Sequence, residues 1–186
     1  MRRIVALATL TGLAALTGCG APPPVGWCTP PEAYKSWQKD PGHVRLLDVR
    51  TPEEYVFIGH AVMARNIPFQ FLTAEYDPNR HAPKMTPNPY FLEDVQAACK
   101  PEDKLVLMCA GGHRGAAAAE VLRKNGFANV LNIEGGFDGE YKQDCACQGK
   151  GELTHRGWVQ HGLPWSIWVN PDLLYQRERP GATSRP

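Results

Sequence analysis

An α/β fold, one domain with a parallel sheet flanked by helices, is what this sequence predicts, on three observations. Short apolar runs suited to buried strands alternate with segments of helical spacing along most of the chain. Gly and Pro punctuate the boundaries between them, as at Thr51-Pro52, Asn88-Pro89, Gly126 and Gly135-Gly136. The length, 186 residues with 43% hydrophobic content, supplies one core and calls for no second domain.

The N-terminus reads as a processing signal. Arg2 and Arg3 precede the apolar stretch Ile4 to Leu16, which is too short to span a bilayer and has the layout of a secretory signal peptide. Leu16-Thr17-Gly18-Cys19 resembles the lipobox of bacterial lipoprotein precursors, in which cleavage precedes a Cys that becomes lipidated. Residues 1–18 are thus expected to be a signal peptide, with Cys19 the lipid-bearing residue. Residues 19–27, with the run GAPPPVG, read as a Pro-rich tether. No Asp follows Cys19, so a periplasm-facing lipoprotein of the cell envelope is expected, in the outer membrane rather than the inner. Loss of residues 1–18 removes two Arg and no acid, which turns the formal charge from +1 to slightly negative. Membrane attachment would therefore come from lipid and not from a basic patch. The same charge balance argues against a nucleic-acid-binding face.

The domain itself is expected over residues 28–168. Pro31 to Lys39 has helical spacing of Ala33, Tyr34 and Trp37, and Val44 to Val49 is a buried strand. Thr51-Pro52-Glu53-Glu54 starts a helix, with Thr as N-cap, Pro at the first position and acid in the first turn. Ala61 to Ile67 reads as a second short strand, and residues 68–88, rich in Pro and polar groups, as a long excursion. Asn88-Pro89 restarts a helix with Phe91, Leu92, Val95 and Ala98 on one face. Leu105 to Met108 is a strand, Arg114 to Lys124 an Ala-rich helix stopped by Gly126, and Asn129 to Ile133 a further strand. Residues 138–157 form an insertion, and residues 169–186 a tail, disordered from Gln176.

The segment LVLMCAGGHRGAAAAEVL carries the chemistry. A strand delivers Cys109 at its carboxyl end, where sites form in open parallel sheets. Gly111 and Gly112 can take positive φ, so the loop can curl around the sulfur with its N–H groups inward. The following helix N-terminus and Arg114 add positive charge, and all three features favour thiolate over thiol. Cys109 is therefore expected to be a reactive nucleophile. His113 would supply charge when protonated or be a solvated loop residue.

At these residues the chain resembles a single rhodanese-like (sulfurtransferase) domain. That family's loop reads Cys, two residues, Gly, one residue, Arg, then usually Ser or Thr; here it is Cys109-Ala110-Gly111-Gly112-His113-Arg114-Gly115. Leu47-Asp48-Val49-Arg50-Thr51-Pro52-Glu53-Glu54-Tyr55 matches the family's first signature. Gly59-His60 with Asn66-Ile67-Pro68 matches the second, Asn129 to Phe137 the closing strand, and Gly157-Trp158 with Gly162 to Trp165 the domain end. The resemblance implies a persulfide on Cys109, taken from a donor such as thiosulfate and passed to a thiophilic acceptor (cyanide or a thiol), with no cofactor and no metal. It implies that Ala110, Gly111, Gly112, His113, Arg114 and Gly115 bind substrate and persulfide, and that Asp48 and Arg50 either support the loop or form a structural ion pair. Two departures stand out: Gly115 replaces the usual hydroxyl, and Ala110 replaces a residue that is often basic. The alternatives are a non-catalytic sulfur carrier, and a phosphatase or arsenate reductase on the related fold. The spacing Cys-x4-Arg is shorter than the Cys-x5-Arg cradle of the related phosphatases and favours a sulfur atom over a phosphate.

With Cys19 and Cys109 assigned, Cys28, Cys99, Cys145 and Cys147 remain. An oxidising compartment favours disulfides, and a ring closed by Cys145 and Cys147 would be small, so bridges from that pair to Cys28 and Cys99 are expected. A sulfur relay from Cys109, or a metal site with His155 and His161, are the other readings of the pair.

Overall fold

A computed structural model of the chain describes residues 25–79, 81–141 and 152–177. The chain runs through β1 (Gly26–Cys28), α1 (Pro30–Lys39), β2 (Val44–Asp48), α2 (Pro52–Phe57), β3 (His60–Ala61) and β4 (Arg65–Asn66). The pair β5 (Gln70–Asp77) and β6 (Ala82–Pro87) follows, then α3 (Phe91–Ala98), β7 (Lys104–Met108), α4 (His113–Lys124) and β8 (Val130–Ile133). The described chain closes with β9 (Glu140–Tyr141), β10 (Leu153–His155), a 3-10 turn (Val159–His161) and β11 (Trp165–Ser166).

The central sheet has the order β1-β8-β7-β2-β4, and every neighbouring pair is parallel. Helices cover both faces. On one, Phe91 and Val95 of α3 and Ala118, Ala119 and Leu122 of α4 pack on Leu105, Leu107 and Val130. On the other, Ala33 of α1 with Phe137 and Trp158 packs on Leu46, Val106 and Ile133. Successive β7 residues therefore enter opposite cores, which is why that strand is an unbroken apolar run. The predicted fold class is the observed one.

Two helices start on the same device. Thr29 caps α1 and Thr51 caps α2, each with a Pro in the first turn and a Glu three residues on that bonds back to the cap backbone. The reciprocal bonds satisfy backbone N–H groups that would otherwise lack partners.

Four segments differ from expectation. Residues 61–67 form no single strand: an Ala64 N–H to Ala61 carbonyl turn splits them. Its first part, β3, pairs antiparallel with β11, while β4 joins the main sheet beside β2. Residues 68–88 hold an antiparallel ribbon, β5 on β6, with His81 at φ 49° near its tip. Pro83 and Pro87 hid this ribbon in the sequence, but a two-stranded ladder has outward edges where a missing N–H costs little. Gly26 and Trp27, placed in the tether by sequence, pair with β8. Residues 169–177, placed in the tail, pack back: Leu173 carbonyl accepts from Asn66 N–H at 2.8 Å, and Tyr175 hydroxyl donates to Asp94 at 3.1 Å.

The expected disulfides at Cys28 and Cys99 are not formed; both are buried free thiols. Cys28 sits in the core cluster on the α1 face and Cys99 in the cluster on the α3–α4 face. The signal peptide, Cys19, Cys145 and Cys147 lie outside the described residues. Among the described residues no helix is long and apolar enough to cross a membrane.

Candidate active site

Cys109 follows β7 directly, at the carboxyl edge of the sheet, and is 2% exposed. Gly112, four positions into the loop counting Cys109 as the first, folds back so that its N–H donates to Cys109 Sγ at 3.1 Å. That turn needs φ of +109° at Gly112, in the left-handed region that a Cβ disfavours. Gly112 is also the N-cap of α4, so the sulfur lies at the positive end of that helix. Gly111, also expected to take positive φ, does not.

The loop is braced from the β8 side. Phe137 N–H donates to the Cys109 carbonyl at 2.7 Å and Asp138 N–H to the Ala110 carbonyl at 2.9 Å. The brace comes from the turn Gly135-Gly136, both residues at positive φ. A Cβ on Gly136 would collide with the carbonyls of Cys109 and Ala110, so this approach is open to glycine alone.

Arg114 does not stand free over the loop. Its guanidinium grips Glu54 of α2 with both ends, Nη1 to Oε2 at 2.7 Å and Nη2 to Oε1 at 2.6 Å. Burial opposes the charge on Glu54, but Arg114 outweighs it and holds the carboxyl below its usual range. Burial likewise opposes the Arg114 cation, and the hydrogen bonds and charge of Glu54 prevail, with Cys109 adding a smaller pull in the same direction. Glu54 thus joins the candidate site through Arg114, a role that the sequence did not assign it: there it is a helix-start residue and part of the first signature. Its signal was there: the Glu that completes the Thr51 capping box is the one that reaches Arg114.

Asp48 and Arg50 form a fully buried ion pair at the carboxyl end of β2. Arg50 Nη2 meets Asp48 Oδ2 at 2.6 Å, donates to the Gly59 carbonyl at 2.7 Å, and the guanidinium lies 4.1 Å above the Phe137 ring. The pair therefore touches Phe137, whose N–H braces the Cys109 carbonyl. His60 stacks on Tyr55 at 3.8 Å and bonds the Tyr55 carbonyl at 3.0 Å.

Beside the loop opens a cavity of about 240 Å³, walled by Gly111, Gly112, His113, Trp27, Glu134 and Glu140. His113 is exposed and 3.6 Å from Glu140, which also binds His155 at 2.7 Å. His155 is thus engaged with a carboxylate, and among the described residues no group of three or more His, Cys, Asp or Glu side chains is arranged to hold a metal. Gly115, which stands where the family usually has a hydroxyl residue, lies against Asn132 of β8, whose Nδ2 donates to the Gly112 carbonyl at 2.8 Å. Asn132 is a second residue the sequence reading passed over; a lone polar residue inside an apolar strand was the available signal.

Comparison with known proteins adds a family and a fold. The family model of the Rhodanese-like domain matches residues 30–142. Thiosulfate sulfurtransferase 16 (chloroplastic) of Arabidopsis thaliana is 35% identical over 123 residues, which cover 66% of this chain and 79% of that protein. Protein HIGH ARSENIC CONTENT 1 (mitochondrial), also of Arabidopsis thaliana, is 38% identical over 96 residues, 52% of this chain and 51% of its own length. The chain thus spans most of one such relative and about half of the other. Among solved structures, the crystal structure of Rv0390 from M. tuberculosis superposes with a TM-score of 0.59 at 23% identity, covering 78% of this chain and all of that one, a likeness of fold.

Proposed function

This chain belongs to the rhodanese-like family, and from that premise we propose that it is a sulfurtransferase working through a persulfide on Cys109. The observation that carries the reading is the sulfur's setting: a buried Cys109 at a strand end, with the Gly112 N–H on its Sγ and a helix N-terminus behind it. A backbone N–H and a helix N-terminus directed at the sulfur are the kind of donors that can hold an anionic sulfur group there.

In the first step the Cys109 thiolate attacks the outer sulfur of thiosulfate. The S–S bond of the donor breaks, its electron pair leaves with sulfite, and Cys109 carries an extra sulfur as an anionic persulfide. In the second step a nucleophile such as cyanide attacks that terminal sulfur, thiocyanate departs, and the electron pair returns to Cys109 Sγ. No external oxidant or reductant is needed. Arg114, paired with Glu54, holds α2 against the start of α4 and fixes the shape of the loop. The proposal includes a lipid on Cys19 and a periplasm-facing location in the bacterial envelope, supported by the order Arg2-Arg3, apolar stretch, Leu16-Thr17-Gly18-Cys19.

One experiment addresses the whole reading: intact mass of the full chain from a detergent extract, before and after thiosulfate, with Cys109→Ser alongside. The expected result is a gain of one sulfur, about 32 Da, removed by cyanide and absent in the variant. The starting mass should also exceed that of the polypeptide from Cys19 onward by a diacylglyceryl group. No sulfur gain on a free Cys109 would overturn the thiosulfate reading. A single loading that cyanide cannot discharge would favour a carrier over an enzyme.

A further inference from the structure

Asn132 has no reason to be where it is as packing alone. It is fully buried on β8, beside Leu107 of β7, on the face covered by α4, where its neighbours in the strand pattern are apolar. Its Oδ1 is buried without a hydrogen-bond partner among the described residues. A valine or alanine would avoid that unmet acceptor. What the side chain does make is one bond, Nδ2 to the carbonyl of Gly112 at 2.8 Å. That carbonyl already accepts the first helical bond of α4, from Ala116 N–H at 3.1 Å. The Asn132 bond is therefore additional, and it pins the residue whose own N–H donates to Cys109 Sγ.

Gly115 makes the bond possible. A Cβ there would collide with Asn132 Oδ1, so the carboxamide can lie under the first turn of α4 only because residue 115 has no side chain. Gly115 and Asn132 form a matched pair: the missing side chain on one admits the amide of the other.

We propose that Asn132 is a positioning residue that, through Gly112, aims a backbone N–H at Cys109 Sγ and so speeds release of sulfur from the persulfide more than its capture. The inference rests on the persulfide reading of Cys109. The direction follows from where charge sits on Sγ. During capture, Sγ is the attacking thiolate and loses charge as the new S–S bond forms. A hydrogen bond to the thiolate stabilises the starting state of the attack more than its transition state and so does not speed the attack itself. During discharge, the acceptor takes the terminal sulfur, the S–S bond breaks, and its electron pair returns to Sγ, the leaving group. A donor held on Sγ then stabilises charge as it develops.

The test uses the full chain in detergent with Asn132→Ala, and Asn132→Val as a second variant closer to the native volume. Single-turnover loading by thiosulfate and discharge by cyanide are timed separately by intact mass, and Tm is recorded for each protein. The expected result is discharge slowed about tenfold or more, with loading within a few-fold of native and Tm little changed. Equal slowing of both steps, in parallel with a lowered Tm, would assign Asn132 a purely structural role and overturn the proposal. Unchanged discharge in both variants would also overturn it. If the native chain itself takes up no sulfur, the persulfide reading fails and this inference fails with it, an outcome visible before any variant is compared.

Discussion

Arg114 and Glu54 show how one ion pair can brace the element beside a candidate site. Each side chain is mostly buried, and their two-point contact joins α2 to the loop end of α4. Glu54 is ionised more readily in the fold than free, because Arg114 outweighs the opposing effect of burial. A depressed carboxyl pKa contributes stability that is present above the ordinary value of 4.5 and is lost as pH falls through the folded value. Glu54→Gln keeps the shape but leaves Arg114 without its counter-charge. The expected cost is about 1–3 kcal/mol in urea at pH 7, with sulfur loading reduced as the loop loosens. The variant should also lose less stability than the native chain on acidification below about pH 4.5; identical acid profiles would show that the pair contributes nothing to folding.

At the scale of elements, the site depends on pieces distant in sequence arriving at one sheet edge. β7 delivers Cys109, α4 supplies the N-terminus behind it, and the turn after β8 supplies the donors that brace the loop from outside. That turn works because Gly136 has both positive φ and no Cβ, which lets its backbone lie against the Cys109 and Ala110 carbonyls. Gly136→Ala is therefore expected to cost more than about 1 kcal/mol, since left-handed backbone and a backbone collision are combined. Activity should fall with it, because the Phe137 and Asp138 N–H groups would move off the loop. A variant with native Tm and native thiocyanate production would refute this account of the turn. The start of α2 was legible because Thr-Pro-x-Glu is a local device that needs no tertiary partner, and the same device at Thr29 starts α1 one residue before the apolar spacing placed it. The ribbon of β5 and β6 was not, since its pairing, Asp77 opposite Ala82, is a tertiary contact and its Pro residues speak against strand in isolation.

Across the whole molecule, the free thiols separate by environment. Cys28 and Cys99 lie in the two cores on opposite faces of the sheet, and burial pushes each from 9.0 up to about 11. A thiol with a raised pKa stabilises the fold below its unfolded value of 9.0 and withdraws that stability as pH climbs toward 11. Two consequences follow at this scale. Iodoacetamide at pH 8 should leave Cys28 and Cys99 unmodified in the native chain and label both after unfolding, read by peptide mass. Stability in urea should decline between about pH 9 and 11, and less so in Cys28→Ala. Rapid native-state labelling of either residue would contradict the burial described here.

The sequence by itself determined the fold class, the capped start of α2 and the family, because each is written in short-range pattern: apolar runs, Thr-Pro-x-Glu, and Cys109 to Arg114 in fixed order. Only the tertiary structure decided that Arg114 is held by Glu54, that Cys28 and Cys99 stay unbridged, and that Asn132 reaches Gly112 beneath a side-chain-free Gly115. Each of these depends on which residues from separate strands and helices come within bonding distance, and that distance is set by the parallel order β8-β7-β2 and not by any local preference of the chain.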